Sequence, residues 1–149
     1  MKVGDVCNRL VVDVTEDEPV RRAAELMRKY HVGTLVVTSY GDEQRVPTGI
    51  VTDRDIVVET TASGIDPDEV TVGDIMSDKV VMATEEDEVP DVLEMMRKRG
   101  IRRLPVVDGK GSLVGILAVD DLLQICADNL GAMAAIVGGQ RRQETKVRA

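Results

Sequence analysis

The chain repeats itself, and that constrains it more than any other feature. "VGDV" begins at Val3 and "VGDI" begins at Val72, and the same spacing of 69 relates Val11 to Val80, Thr15 to Thr84, Met27 to Met96 and Val32 to Ile101. Farther on, "PTGIVTDRD" answers "LVGILAVDD" at a spacing of 66, so the first copy carries three extra residues, placed in the polar loop "SYGDEQR". At 149 residues the chain is the length of one compact unit, so two like halves must share a core or an interface.

Each copy follows one order. A short apolar stretch (Leu10 to Val14; Val80 to Ala83) is followed by acidic residues suited to a helix's first turn. Val20, Ala23, Ala24 and Met27 then recur at i, i+3, i+4 and i+7, as do Val89, Val92, Leu93 and Met96. That spacing places four apolar groups on one helical face. Pro19 and Pro90 stand near the helix starts, where a missing amide proton costs little. Gly100 closes the second helix, and His31 holds the matching place in the first, where a capping role is expected. Two β-rich runs follow in each copy, "TLVVT" with "PTGIVT" and "RLPVV" with "SLVGIL", and then another helix. The predicted order is β-α-β-β-α, twice, an α/β (α+β) fold class. Residues 1–60 and 72–130 form the two units. Residues 61–71 link them, with Gly64 and Pro67 as breakers.

The last helix is expected to run from about Val119 toward Val137 and to stop at Gly138 and Gly139. Residues 131–149 then comprise a helix extension and a frayed charged tail. Leu130, Met133, Ala134 and Val137 lie beyond the repeat, and this stripe needs a covering surface, from the other copy or from another chain.

Composition removes several classes of function. A net charge of -8 argues against a nucleic-acid binder, which needs a basic stripe. The chain has no Phe or Trp and only Tyr30 and Tyr40, so a bound flat ring must lie between aliphatic side chains. Cys7 and Cys126 stand too far apart in sequence for a CxxC pair or a zinc spacing; both are expected as buried or half-buried thiols, Cys126 on a packed helical face. No metal site and no required cofactor is expected. There is no run of about 18 apolar residues and no apolar leader, so no membrane association and a cytoplasmic location are expected. One histidine, with Asp53 and Asp55 too close in sequence to serve as an acid–base pair, leaves no catalytic constellation, and the chain is not expected to be an enzyme.

"GIVTDRD", residues 49 to 55, supports two readings. Thr52 and Asp55 have the spacing of a capping box, in which the hydroxyl accepts from an early amide and the carboxylate reaches back. The same geometry offers a helix N-terminus for an anion and a carboxylate for the vicinal hydroxyls of a ribose. Arg102 and Arg103, in "GIRRLPV", are either a solvated turn or a phosphate fork.

With the copies aligned, the chain resembles a tandem pair of CBS domains, named for cystathionine β-synthase, over roughly residues 1 to 130. "HVGTLVV" with "PTGIVTDRDIV" carries the first-copy pattern, and "VGDIMSDKVV" with "GIRRLPVVDGKGSLVGIL" carries the second. The resemblance implies a disc-like module with two clefts about a pseudo-twofold axis. It also implies adenosine-containing ligands: AMP, ADP or ATP first, with S-adenosylmethionine and NADH as further possibilities. By the same resemblance Gly49, Thr52 and Asp55 match the family's ribose and phosphate pattern. Arg102 and Arg103 cross from the second copy to the phosphates, and Ile50 and Ile101 flank the adenine. A stand-alone regulatory module acting on an unidentified target is implied, as is a homodimer formed through helices. The alternative is an interaction module whose clefts are vestigial. In the second cleft Asp121 answers Asp55, but Ala118 replaces Thr52 and Gly33 and Thr34 replace the arginines, so that cleft is expected to bind weakly.

Overall fold

A computed structural model describes residues 1–148; Ala149, the end of the expected tail, lies outside the described residues. The elements run α1 (Val3–Val6), β1 (Asp13–Thr15), α2 (Val20–Tyr30), β2 (Thr34–Tyr40), β3 (Arg45–Thr52) and α3 (Asp53–Ile56), the last continued by π-helical turns over Val57–Thr61. The second half repeats them as α4 (Val72–Ile75), β4 (Ala83–Thr84), α5 (Val89–Arg99), β5 (Arg103–Val107), β6 (Leu113–Ala118) and α6 (Val119–Arg148).

Each half holds one three-stranded sheet, ordered β1-β2-β3 and β4-β5-β6, whose first pair is parallel and second antiparallel. Both sheets are irregular at the same place, between Val37 and Thr38 and between Val106 and Val107. Beneath the first sheet, α2 buries Val20, Ala23, Leu26 and Met27; beneath the second, α5 buries Val89, Val92 and Met96. Leu93 departs from the expected face and stays 38% exposed, as the residue at its end of the apolar arc. Both helices stop in the left-handed conformation, at His31 (φ 54°) and Gly100 (φ 64°), whose amides donate back to the Met27 carbonyl and to the Arg97 and Met96 carbonyls. His31 is therefore a cap, as its position implied.

The halves exchange their first helices. The amides of Val3 and Gly4 donate to the carbonyls of Asp87 and Glu85, both at 2.9 Å. Those of Val72 and Gly73 donate to Glu18 and Glu16 at the same distance. Val3, Val6 and Cys7 accordingly sit in the core of the second sheet, while Val72, Ile75 and Met76 sit in that of the first. A reciprocal exchange of this kind is what a pseudo-twofold axis requires. Burying each helix on the other half ties the halves into one body through the hydrophobic effect.

Past the repeat, the structure corrects two expectations. α6 does not stop at Gly138 and Gly139 but continues to Arg148, so the expected frayed tail is helical as far as it is described. Glycine inside a helix costs about 1 kcal/mol against alanine. "QRRQETK" beyond it consists largely of good helix formers, and neither glycine takes a positive φ. Cys126 is exposed rather than packed, because α6 leaves the body after Leu122 and Ile125. Leu130, Met133, Ile136 and Val137 are at least half exposed. By length and composition α6 could cross a membrane. Its uncharged run, residues 129–140, nevertheless rises only about 18 Å at 1.5 Å per residue, short of the roughly 30 Å core of a bilayer.

Candidate functional site: two unequal clefts

A close approach of backbone builds the first cleft. The segment after α4 lies against β3, where Ile50 and Ser77 exchange amide-to-carbonyl hydrogen bonds of 3.0 and 2.9 Å. This is possible because residue 49 is glycine: a Cβ there would stand 2.5 Å from the Met76 Sδ and 2.9 Å from the Ser77 carbonyl oxygen. Gly115 admits Asn8 to β6 in the same way, with the Cys7 Sγ at 2.7 Å from such a Cβ. The glycine of the "GIVTDRD" pattern thus serves packing.

The first cleft encloses a cavity of about 330 Å³, near the lower end of the roughly 300–1,000 Å³ usual for small-molecule sites. Ile50, Val81 and Ile101 form its apolar wall; Thr34, Thr52 and Ser77 bring hydroxyls; Lys79, Arg102 and Arg103 bring positive charge. Five of the residues singled out from sequence, Ile50, Thr52, Ile101, Arg102 and Arg103, therefore meet in one place. Asp55 does not line the cavity but stands behind Thr52. Its Oδ2 accepts the Thr52 amide at 2.9 Å, and its own amide donates to the Thr52 Oγ1 at 3.2 Å. The capping box is fully formed.

That capping changes the electrostatics anticipated for this helix. Three first-turn amides are already engaged: Asp53 donates to the Gly33 carbonyl at 3.0 Å, Arg54 to the Asp53 Oδ1 at 2.8 Å, and Asp55 to Thr52. No free amide of that turn is left for an anion, so attraction for a phosphate has to come from side-chain cations. Lys79 is the cation that sequence patterns left unnoticed. It sits in "SDKVV", inside the second-copy pattern, but its first-copy counterpart is Leu10, so aligning the copies shows no shared charge there.

The second cleft encloses about 270 Å³. It is the pseudo-symmetric counterpart, with Leu10 where Lys79 stands, Gly33 for Arg102, and Ala118 for Thr52. Asp120 and Asp121 both line it, with His31. One expectation needs correction: this cleft does not lack cations, because Arg103 lines it as well as the first. Arg103 and its counterpart Thr34 face each other between the clefts, with the Nη1 donating to the Oγ1 at 3.2 Å. Among the described residues no three metal-ligating side chains converge.

The CBS domain family matches residues 3–60 and 72–128, most of the chain. The chain belongs to the CBS-domain family. This CBS pair is 36% identical over 134 residues to a CBS domain-containing protein of Bacillus subtilis, covering 90% of this chain and 91% of that protein. It is 39% identical to an uncharacterised protein of Methanopyrus kandleri, over 84% of this chain but 62% of that protein's length. Among solved structures, it matches a CBS domain pair in complex with 5′-methylthioadenosine and S-adenosyl-L-methionine, with TM-score 0.73, 26% identity and coverage of 87% of this chain and 98% of that one. A CBS domain protein of Pyrobaculum aerophilum complexed with AMP matches with TM-score 0.71 and 28% identity, over 82% of this chain and 90% of that one.

Proposed function

We propose that this CBS pair is a regulatory sensor, not an enzyme, that takes up an adenine nucleotide (AMP, ADP or ATP) in the first cleft. One observation carries the reading: Lys79, Arg102 and Arg103 of the second half face the Thr52 hydroxyl and the Ile50 wall of the first, around a single cavity. Adenine lies between Ile50 and Ile101, since the chain offers no Phe or Trp to stack it. The phosphates meet the guanidinium forks, which bind such oxygens in pairs. The ribose meets the Thr52 hydroxyl at the cavity wall, and Asp55, behind it, holds Thr52 in place through the capping box. Three cations favour phosphate-bearing ligands over the sulfonium of S-adenosylmethionine. The binding of AMP, 5′-methylthioadenosine and S-adenosyl-L-methionine by related CBS pairs supports the ligand class. A thermal-shift panel of AMP, ADP, ATP, S-adenosylmethionine and NADH tests it: the first three raise the melting temperature by mass action. Flat melting curves for all five would leave the clefts vestigial.

The exposed face of α6 favours an additional role, self-association with a second copy of this chain. The uncharged run 129–140 has Asp120, Asp121 and Asp128 before it and Arg141, Arg142, Lys146 and Arg148, with the single acid Glu144, after it. An antiparallel pairing centred near Met133 sets acids against bases, whereas a parallel pairing sets like against like. In a Cys126→Ser background, Met133→Cys should cross-link copies on oxidation. The native Cys126 pair, about 20 Å apart at 1.5 Å per residue, should not. A monomer at micromolar concentration would overturn this pairing. The regulated target is a further protein reached through the dimer, and the free thiols Cys7 and Cys126 suit a reducing compartment such as the cytoplasm.

A further inference from the structure

Asp120, in the first turn of α6, is the one acid that acts on both clefts. Its Oδ1 accepts from the Arg102 Nη2 at 2.7 Å, and its Oδ2 lies 3.5 Å from the Arg103 Nη2. The same carboxylate lines the second cleft beside Asp121. The backbone holds it in place: the Val119 amide donates to the Arg102 carbonyl at 3.0 Å, which pins the start of α6 to the arginine pair. Its counterpart in the first copy is Arg54, a residue of opposite charge that does not line the first cleft, so only the second cleft has a charged side chain of its own at this position.

We propose that Asp120 sets the phosphate selectivity of both clefts. In the first cleft it occupies the guanidinium edges that a phosphate requires, so an anionic group must displace it before pairing with Arg102 and Arg103. In the second cleft it adds a second negative charge beside Asp121, against only one arginine. That cleft therefore takes nucleosides without phosphate and rejects nucleotides. Because Arg103 lines both clefts, a phosphate that draws it into the first removes the second cleft's only arginine. The side chains of Arg102, Arg103 and Asp120 are 76%, 44% and 51% exposed, so the pairing is of the weak, screened kind. This inference rests on nucleotide binding in the first cleft.

The test is calorimetry with AMP and with adenosine on the wild type, Asp120→Asn, Arg102→Ala and the double variant, at low and high salt. Asp120→Asn is expected to tighten AMP about two- to fivefold at low salt, with a smaller gain at high salt, and to leave adenosine unchanged. The AMP gain should shrink in the Arg102→Ala background, leaving only the part that acts through Arg103, as a double-mutant cycle reads for groups that act through each other. Unchanged AMP affinity in Asp120→Asn, or equal shifts for AMP and adenosine, would overturn the role of Asp120 while leaving nucleotide binding intact. Absence of AMP binding to the wild type would overturn both readings.

Discussion

Replacing Gly49 by alanine separates a packing role from a ligand-binding one. The added Cβ would meet the Met76 Sδ at 2.5 Å and the Ser77 carbonyl oxygen at 2.9 Å. The thioether can swing away, but the carbonyl is backbone and is hydrogen-bonded to Ile50. Relief therefore requires residues 76–77 to lift from β3, giving up the two bonds between Ile50 and Ser77. Each such bond is worth about 1 kcal/mol net, and overpacking adds about 1–3 kcal/mol. Gly49→Ala should therefore cost about 3–5 kcal/mol, measured by urea unfolding, and lower the melting temperature by about 9–15 °C. AMP affinity should fall with it, because Ser77, Lys79 and Val81 move with that segment. Gly41→Ala is the control, since nothing lies within 4 Å of its Cβ, and it should change stability by less than about 0.5 kcal/mol. Wild-type stability in Gly49→Ala combined with lost AMP binding would refute the packing argument and assign the glycine to the ligand.

Other expectations follow from the same geometry. Asp13, with a side chain only 14% exposed, accepts from the Thr38 Oγ1 at 2.7 Å, the Tyr40 hydroxyl at 3.0 Å and the Arg45 Nη1 at 3.1 Å. Asp13→Ala should cost about 2 kcal/mol in chemical denaturation. Burial, and then the hydrogen bond to Asp13, push the Tyr40 phenol up, so that variant's ultraviolet titration should move part-way back toward the ordinary tyrosine range. The amides of Ser112 and Lys110, both donating to the Asp108 Oδ1 at 2.9 Å, hold its carboxyl below the usual range. A pKa depressed in the folded state gives stability that is present above the unfolded value of about 3.9 and lost as pH falls through the folded one. The stabilities of wild type and Asp108→Asn should therefore converge in acid, and parallel curves would contradict the assignment. Lys79→Ala should weaken AMP about two- to fivefold and spare adenosine, as read by calorimetry at low salt.

The duplicated pattern made most of the fold legible, because the apolar faces of α2 and α5 and the paired runs of each sheet repeat at fixed spacing. It could not reveal the exchange of α1 and α4. "VGDV" and "VGDI" fit either sheet equally well, and only chain geometry chooses between them. The end of α6 was misread from Gly138 and Gly139, whose helix penalty is small beside a run of helix formers. Within the cleft, Ile50, Thr52, Ile101, Arg102 and Arg103 were found from sequence because a resemblance named their positions. Lys79 and Asp120 were not found, since the first copy carries Leu10 and Arg54 at their positions and aligning the copies draws attention to neither. The anion-attracting amides expected at α3 proved to be satisfied by Gly33, Asp53 and Thr52, partners that depend on how the chain turns there.

Calorimetric titration of AMP into the wild type, Arg102→Ala/Arg103→Ala and Asp121→Ala tests nucleotide binding in the first cleft most directly. One site per chain is expected in the wild type, weakened at least about tenfold by loss of both arginines and unchanged in Asp121→Ala. Equal losses in the two variants, or an AMP site that survives removal of both arginines, would contradict it.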